Sequence, residues 1–323
     1  MEKKSLLFSL AIIVTFSLAS CSSQGDALPN KKGTSPAQFS QVRYHGGPLL
    51  AKPSPINVYL IWYGAFTRKE RSTITDFFVS FNSSNSSTTD SKRGQPTVSK
   101  WWKTIQSYKD KSGHPISGSV RLVKIIGDKY SLGKNIKRIQ IAQLVEKKIE
   151  SNTLPVDYNA VYFVLTAKDV AVERFCISSC GFHDNTNILT KGKVVFAHVG
   201  DSSSQCRGFC AWPYAPNYGP LEKPLVAPNS VGTDGMVVNI ATVLAGAVTN
   251  PFRNGYYQGY DHAPLEAVSA CAGKFGNGAY PGFPGKLLVD RATNASYNAY
   301  GANGRKFLLP AMWDPVRLSC NVV

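Results

Sequence analysis

The 323-residue chain is 43% hydrophobic and only 17% charged, which excludes a disordered segment and a coiled coil. Its 36 Lys+Arg against 20 Asp+Glu leave a net charge of +16, so the chain needs an anionic partner or setting. Seven cysteines are too few for a disulfide-built mini-scaffold, and the length is ample for a sizeable core.

The chain opens on Met1-Glu2-Lys3-Lys4, an apolar run from Leu6 to Leu18, and the small residues Ala19-Ser20-Cys21-Ser22-Ser23. This order describes a signal peptide over 1–23. The run is shorter than the roughly 20 apolar residues a bilayer span needs. Leu18-Ala19-Ser20-Cys21 also fits a bacterial lipoprotein box, with Cys21 as the lipidated residue. No later stretch reads as a membrane span, so the mature chain is expected to be secreted and untethered. Only Glu2, Lys3 and Lys4 of this leader are charged, so the basic excess belongs to the mature chain.

Residues 24–40 are polar with scattered Pro and Lys and read as a flexible leader, followed by a single domain over 41–323. Ile56 to Tyr63 has the β-branched and aromatic content of a buried strand. Ile74, Phe77, Phe78 and Phe81 recur at helical spacing, which predicts an amphipathic helix over 71–81. A polar loop over 82–91 precedes a second helical pattern over 98–108, a half-buried strand over 120–126 and a helix over 136–149. Buried strands are predicted over 160–165 and 193–198. Beyond residue 200, Gly, Pro and aromatic loops surround one good helix over 235–248. Alternating strands and helices predict a mixed α/β (α+β) fold, one mixed β-sheet flanked by helices, with a loop-rich C-terminal part.

Without the leader six cysteines remain: Cys176, Cys180, Cys206, Cys210, Cys271 and Cys320. In an oxidising compartment they imply three disulfides whose pairing spacing alone leaves open. Zinc binding by the two C-x3-C pairs is the weaker alternative. The sequons at Asn82, Asn85 and Asn294 are candidate glycosylation sites.

No histidine stands in a metal-binding spacing, and no nucleophile elbow, P-loop or dinucleotide fingerprint is present. Glycoside hydrolysis would need a carboxylate pair, for which Asp234, Glu266, Asp290 and Asp314 are candidates. The positive charge crowds into 100–150, where Asp110, Asp128, Glu146 and Glu150 are the acids. A secretory leader argues against nucleic acid and for an extracellular acidic polysaccharide. Trp101-Trp102 and Tyr256-Tyr257 could stack on sugars, although burial in the core is the simpler use for them.

Several long segments carry a family likeness: Tyr44 to Leu50 (YHGGPLL), Ile56 to Gly64 (INVYLIWYG), Cys206 to Pro213 (CRGFCAWP), Ala241 to Phe252 (ATVLAGAVTNPF), Asn254 to Gly259 (NGYYQG) and Leu309 to Pro315 (LPAMWDP). Through them the chain resembles the plant EXORDIUM and phosphate-induced protein family over about residues 40–320. Membership implies a secreted apoplast or cell-wall protein linked to brassinosteroid-dependent growth and cell expansion, with no catalytic residues to carry over. His198 and Asp201 depart from the pattern, where Trp and Asn are expected.

A more distant resemblance joins the helix over 240–251 to the active-site helix of secreted zinc peptidases. Ala247-Val248-Thr249-Asn250-Pro251 resembles the ending of that helix, and Leu265-Glu266-Ala267-Val268 the acidic segment after it. On this alignment the metal-binding histidine falls on Thr242, the general base on Val243 and the second ligand on Gly246. None of these can bind zinc or move a proton, which implies a degenerate zincin-like scaffold. The expectation is therefore a non-enzymatic protein with no cofactor or metal, binding an acidic wall polysaccharide or an apoplastic protein. The alternatives are a wall glycoside hydrolase, or a residual metallopeptidase built from His183, His198 and Glu266.

Overall fold

The computed structural model describes residues 41–82, 94–189, 191–215 and 223–323. The leader over 1–23, the segment over 24–40, Cys21 and the sequon at Asn85 lie outside them. In chain order the strands up to the last long one are β1 (Arg43–Tyr44), β2 (Ile56–Tyr63), β3 (Val120–Asp128), β4 (Asn135–Ile136), β5 (Ala160–Thr166), β6 (Ala171–Val172), β7 (Gly181–Ile188) and β8 (Gly192–Gly200). The helices are α1 (Arg68–Val79), α2 (Val98–Trp102), α3 (Arg138–Glu150), α4 (Arg207–Cys210) and α5 (Val231–Thr249).

β2 and β5 carry no polar face and lie at the centre of a sheet ordered β3-β2-β5-β8-β7. The first four strands run parallel and β7 closes the sheet antiparallel to β8. Central parallel strands are covered on both faces and so read as unbroken apolar runs. At the outer edge β3 is instead exposed or half-buried between its two ends, with Arg121, Lys124 and Ile125 exposed.

Alternate residues of β2 feed opposite cores, as the two-residue period of a strand dictates. Val58, Leu60 and Trp62 pack with Phe77 and Phe78 of α1 and Ile240, Leu244 and Val248 of α5. Tyr59, Ile61 and Tyr63 pack with Ile141, Leu144 and Ile149 of α3. α1 starts where the sequence provides a reciprocal cap: Thr67 Oγ1 accepts from Glu70 N while Glu70 Oε2 accepts from Thr67 N at 2.6 Å. The helical pattern over 98–108 splits into α2 and a 3-10 turn over Lys103–Ser107. Trp101 and Trp102 are buried, so neither is a sugar platform.

α5 is 19 residues long and apolar enough to cross a membrane by length and composition alone. Here 83% of that window is buried inside the protein, between the sheet and the C-terminal part. Beyond α5 the chain forms short two-stranded ladders tied down by buried polar bonds. Asn298 donates to the carbonyls of Phe275 and Leu309 and accepts from Leu309 N. Trp101 Nε1 donates to Pro310 O at 2.7 Å and Tyr108 OH to Trp313 O at 2.6 Å.

The six cysteines pair as Cys176–Cys206, Cys180–Cys210 and Cys271–Cys320. Both C-x3-C pairs are therefore consumed by two adjacent bridges, which corrects the zinc alternative for them. The third bridge closes a separation of 49 residues around the C-terminal ladders. For a loop of that size the chain-entropy model gives about 4 kcal/mol. Replacing Cys271 and Cys320 together by serine should lower the unfolding free energy by that order in urea titration. A loss below about 1 kcal/mol would show that the ladders hold without the bridge.

Candidate functional site

α5 owes its position to signals at both ends. Ser230 Oγ caps the helix by accepting from Thr233 N at 3.3 Å. Asp234 in the first turn accepts from Asn229 N, Ser230 N and Asn229 Nδ2. At the other end Asn250 takes a non-helical conformation and Pro251 cannot continue the ladder. Apolar residues run all round the helix because the sheet lies on one side and the C-terminal part on the other.

At that C-terminal end three polar side chains from different segments converge. His183 Nε2 lies 2.8 Å from Glu266 Oε2 and 3.0 Å from Oε1. Asn250 Nδ2 donates to Glu266 Oε1 at 2.7 Å, and Asn250 Oδ1 accepts from Gly255 N at 2.8 Å. The His183 and Glu266 side chains are only 10% and 14% exposed. Burial works against charging the imidazole, but the adjacent Glu266 carboxylate outweighs it and holds the His183 pKa above its ordinary value. His183 Nδ1 is buried and has no hydrogen-bond partner.

Of the three positions aligned with a zinc motif, only Gly246 lies against this cluster. Thr242 is half-buried and its hydroxyl donates to Val238 O at 2.8 Å. Val243 is buried against Gly181. Gly246 is the informative one, since a Cβ there would fall 2.2 Å from Glu266 Oε2 and 3.0 Å from His183 Nε2. The space a ligating side chain would need is filled by the acid and by an imidazole from the neighbouring strand. The donor set does not fit a tetrahedral zinc site, which needs three or four nitrogen, sulfur or carboxylate ligands around one point.

His198 does not join the cluster, for a reason set by strand register. His183 pairs with Ala197 and Phe182 with His198, so the two histidines leave opposite faces of the sheet. His198 is buried on the α3 side, within 2.9 Å of Thr166 Oγ1, and the three-residue metallopeptidase grouping of His183, His198 and Glu266 is not assembled. Asp201, the other departure from the family pattern, accepts from Ser203 N.

Of the four carboxylates proposed for glycoside hydrolysis, Glu266 is engaged by His183 and Asn250, and the other three are held in local structure of their own. Asp234 caps the start of α5, Asp290 accepts from Ala292 N and Thr293 N and pairs with Lys306, and Asp314 accepts from Val316 N and Arg317 N. Among the sequons, Asn82 is exposed and its amide donates to Val120 O, while Asn294 sits exposed in the Asp290 turn. Asn250 joins the cluster without a motif of its own; the Asn-Pro helix ending is its only signal in the sequence.

The model of the phosphate-induced protein 1 conserved region matches residues 42–323. The chain is 48% identical to Protein PHOSPHATE-INDUCED 1 of Nicotiana tabacum over 289 residues, covering 87% of this chain and 88% of the relative. It is 45% identical to Protein EXORDIUM of Arabidopsis thaliana over 328 residues, covering 98% and 99%. It is 47% identical to Protein EXORDIUM-like 2 of Arabidopsis thaliana over 287 residues, covering 87% and 89%. No solved structure matches the chain.

Proposed function

The chain belongs to the EXORDIUM and phosphate-induced protein family, and from that premise we propose that it is exported to the apoplast and acts there without catalysis. Its role is in brassinosteroid-dependent growth and cell expansion, exercised by binding an acidic wall polysaccharide. Binding is favoured over catalysis by the filled position at Gly246, where a peptidase would present a ligand.

The observation that supports the choice of partner is a set of exposed cations on and just after β3 and on α3. Arg121, Lys124, Lys129 and Lys147 are exposed there and none has a carboxylate partner among the described residues. Asp128, the acid between them, is already paired with Lys148 at 2.9 Å. An unneutralised set of this kind attracts a polyanion and gives little specificity by itself.

The test is chromatography of the purified mature protein on immobilised polygalacturonate. Retention is expected at low salt and elution as ionic strength rises, because exposed charge contacts are screened over about 8 Å at physiological salt. Flow-through at low salt, or retention that persists at high salt, would overturn the electrostatic reading.

A further inference from the structure

We propose that the groove along α1 is a saccharide-binding site that seats uronate residues of an acidic polysaccharide. This inference rests on the wall-polysaccharide reading above and gives it a location. The open groove has a volume of about 490 Å³ and is lined by Phe66, Arg68, Arg71, Ser72, Thr75 and Asp76. That size lies within the roughly 300–1,000 Å³ of small-molecule sites.

Topology brings one end of it, at Phe66, close to the place where an α/β sheet accepts ligands. From the carboxyl end of β2 the chain turns into α1 and on to β3, whereas from the neighbouring β5 it leaves toward β8 on the other side. Adjacent parallel strands whose connections diverge leave a crevice at their carboxyl ends. Phe66 stands at that edge, packing against the cores on both faces of the sheet.

The charges of the lining are unbalanced in one direction. Asp76 is occupied by Arg305 Nε at 2.9 Å and Asn303 Nδ2 at 2.7 Å. Glu70 is consumed by the cap of α1. Arg68 and Arg71 are exposed, three residues apart on one helix face, and neither has a carboxylate partner among the described residues. Arg71 is positioned by stacking over Trp62, its guanidinium carbon 5.7 Å from the ring centroid. Two guanidinium forks side by side suit successive carboxylates. The Thr75 hydroxyl and the Phe66 ring suit the hydroxyls and the apolar face of a sugar ring. An acidic peptide would use the guanidinium pair and neither of the other two features.

The test is titration calorimetry of the mature protein with decagalacturonate, its methyl ester and polyglutamate. Arg68→Gln with Arg71→Gln is compared with Lys191→Gln with Lys193→Gln, which removes the same charge at the exposed amino end of β8. The groove variant is expected to weaken decagalacturonate binding about tenfold or more, with the β8 variant changing it less than about twofold. The ester and polyglutamate are expected to bind at least about tenfold more weakly than decagalacturonate. Equal losses in the two variants would overturn the groove while leaving the polysaccharide reading intact. Polyglutamate binding as tightly as decagalacturonate would overturn the saccharide class. No binding of decagalacturonate by the unaltered protein would defeat the polysaccharide reading itself, and the groove with it.

Discussion

Gly246→Ala is expected to destabilise the protein by roughly 3 kcal/mol, although helix propensity alone favours the change by about 1 kcal/mol. The sign is decided by what the new methyl group meets. It would fall 2.2 Å from Glu266 Oε2 and 3.2 Å from Glu266 Cδ, so the carboxylate must move. Moving it breaks its contacts with His183 at 2.8 Å and Asn250 at 2.7 Å. Hydrogen bonds to a buried charged group contribute about 1.5–3 kcal/mol each, and strain from overpacking adds about 1–3. A second change, Glu266→Ala, should make the alanine at 246 much less costly, because the obstructing atoms are then gone. The measurement is the urea midpoint of the two single variants and the double variant. A neutral or stabilising Gly246→Ala would show that the clamp between β7, α5 and Glu266 is not closed as described.

The same position explains how much of this site the sequence carried. The sequence puts Thr242, Val243 and Gly246 on one helix, and α5 carries all three. The sequence did not show that His183, 83 positions before Glu266, fills the place that glycine vacates. That depends on β7, which the sequence left unassigned. Its residues, GFHDNTNI, are mostly polar and show no alternation, so no strand period is visible. β7 forms because β8 offers an unpaired edge, and the eight-pair antiparallel register with it decides which face each side chain takes. By contrast β2, β5 and α5 were legible because apolar residues dominate their runs. Helix ends moved by a few residues wherever a cap, such as Thr67 for α1, outranked the apolar period.

Lowering the pH from 7 to 4.5 should erode the stability contributed by His198 by roughly 2–3 kcal/mol. Burial, with a smaller push from the Arg138 cation, lowers its pKa to about 3. Among the described residues no carboxylate bonds it: Thr166 bonds the imidazole, and Phe175 and Phe182 pack against the ring. An unfolded chain protonates this histidine near 6.5, so between about 3 and 6.5 it binds more protons than the folded one. The contribution is therefore full above pH 6.5 and is lost as pH falls through that window. Two other buried groups act in the opposite sense. His183 is raised by Glu266 despite its burial, and desolvation pushes the Asp234 carboxyl up to about 6. Both bind protons more readily in the folded state and so offset part of the loss as the pH falls. The readout is thus a difference between proteins, and His198→Gln keeps a polar group near Thr166 without titrating. Urea unfolding at pH 7 and pH 4.5 should show the gap between the native protein and this variant shift in favour of the variant by about 2–3 kcal/mol. Parallel pH profiles for the two would mean that His198 is hydrated or paired in the folded protein, contrary to its position between the sheet and α3.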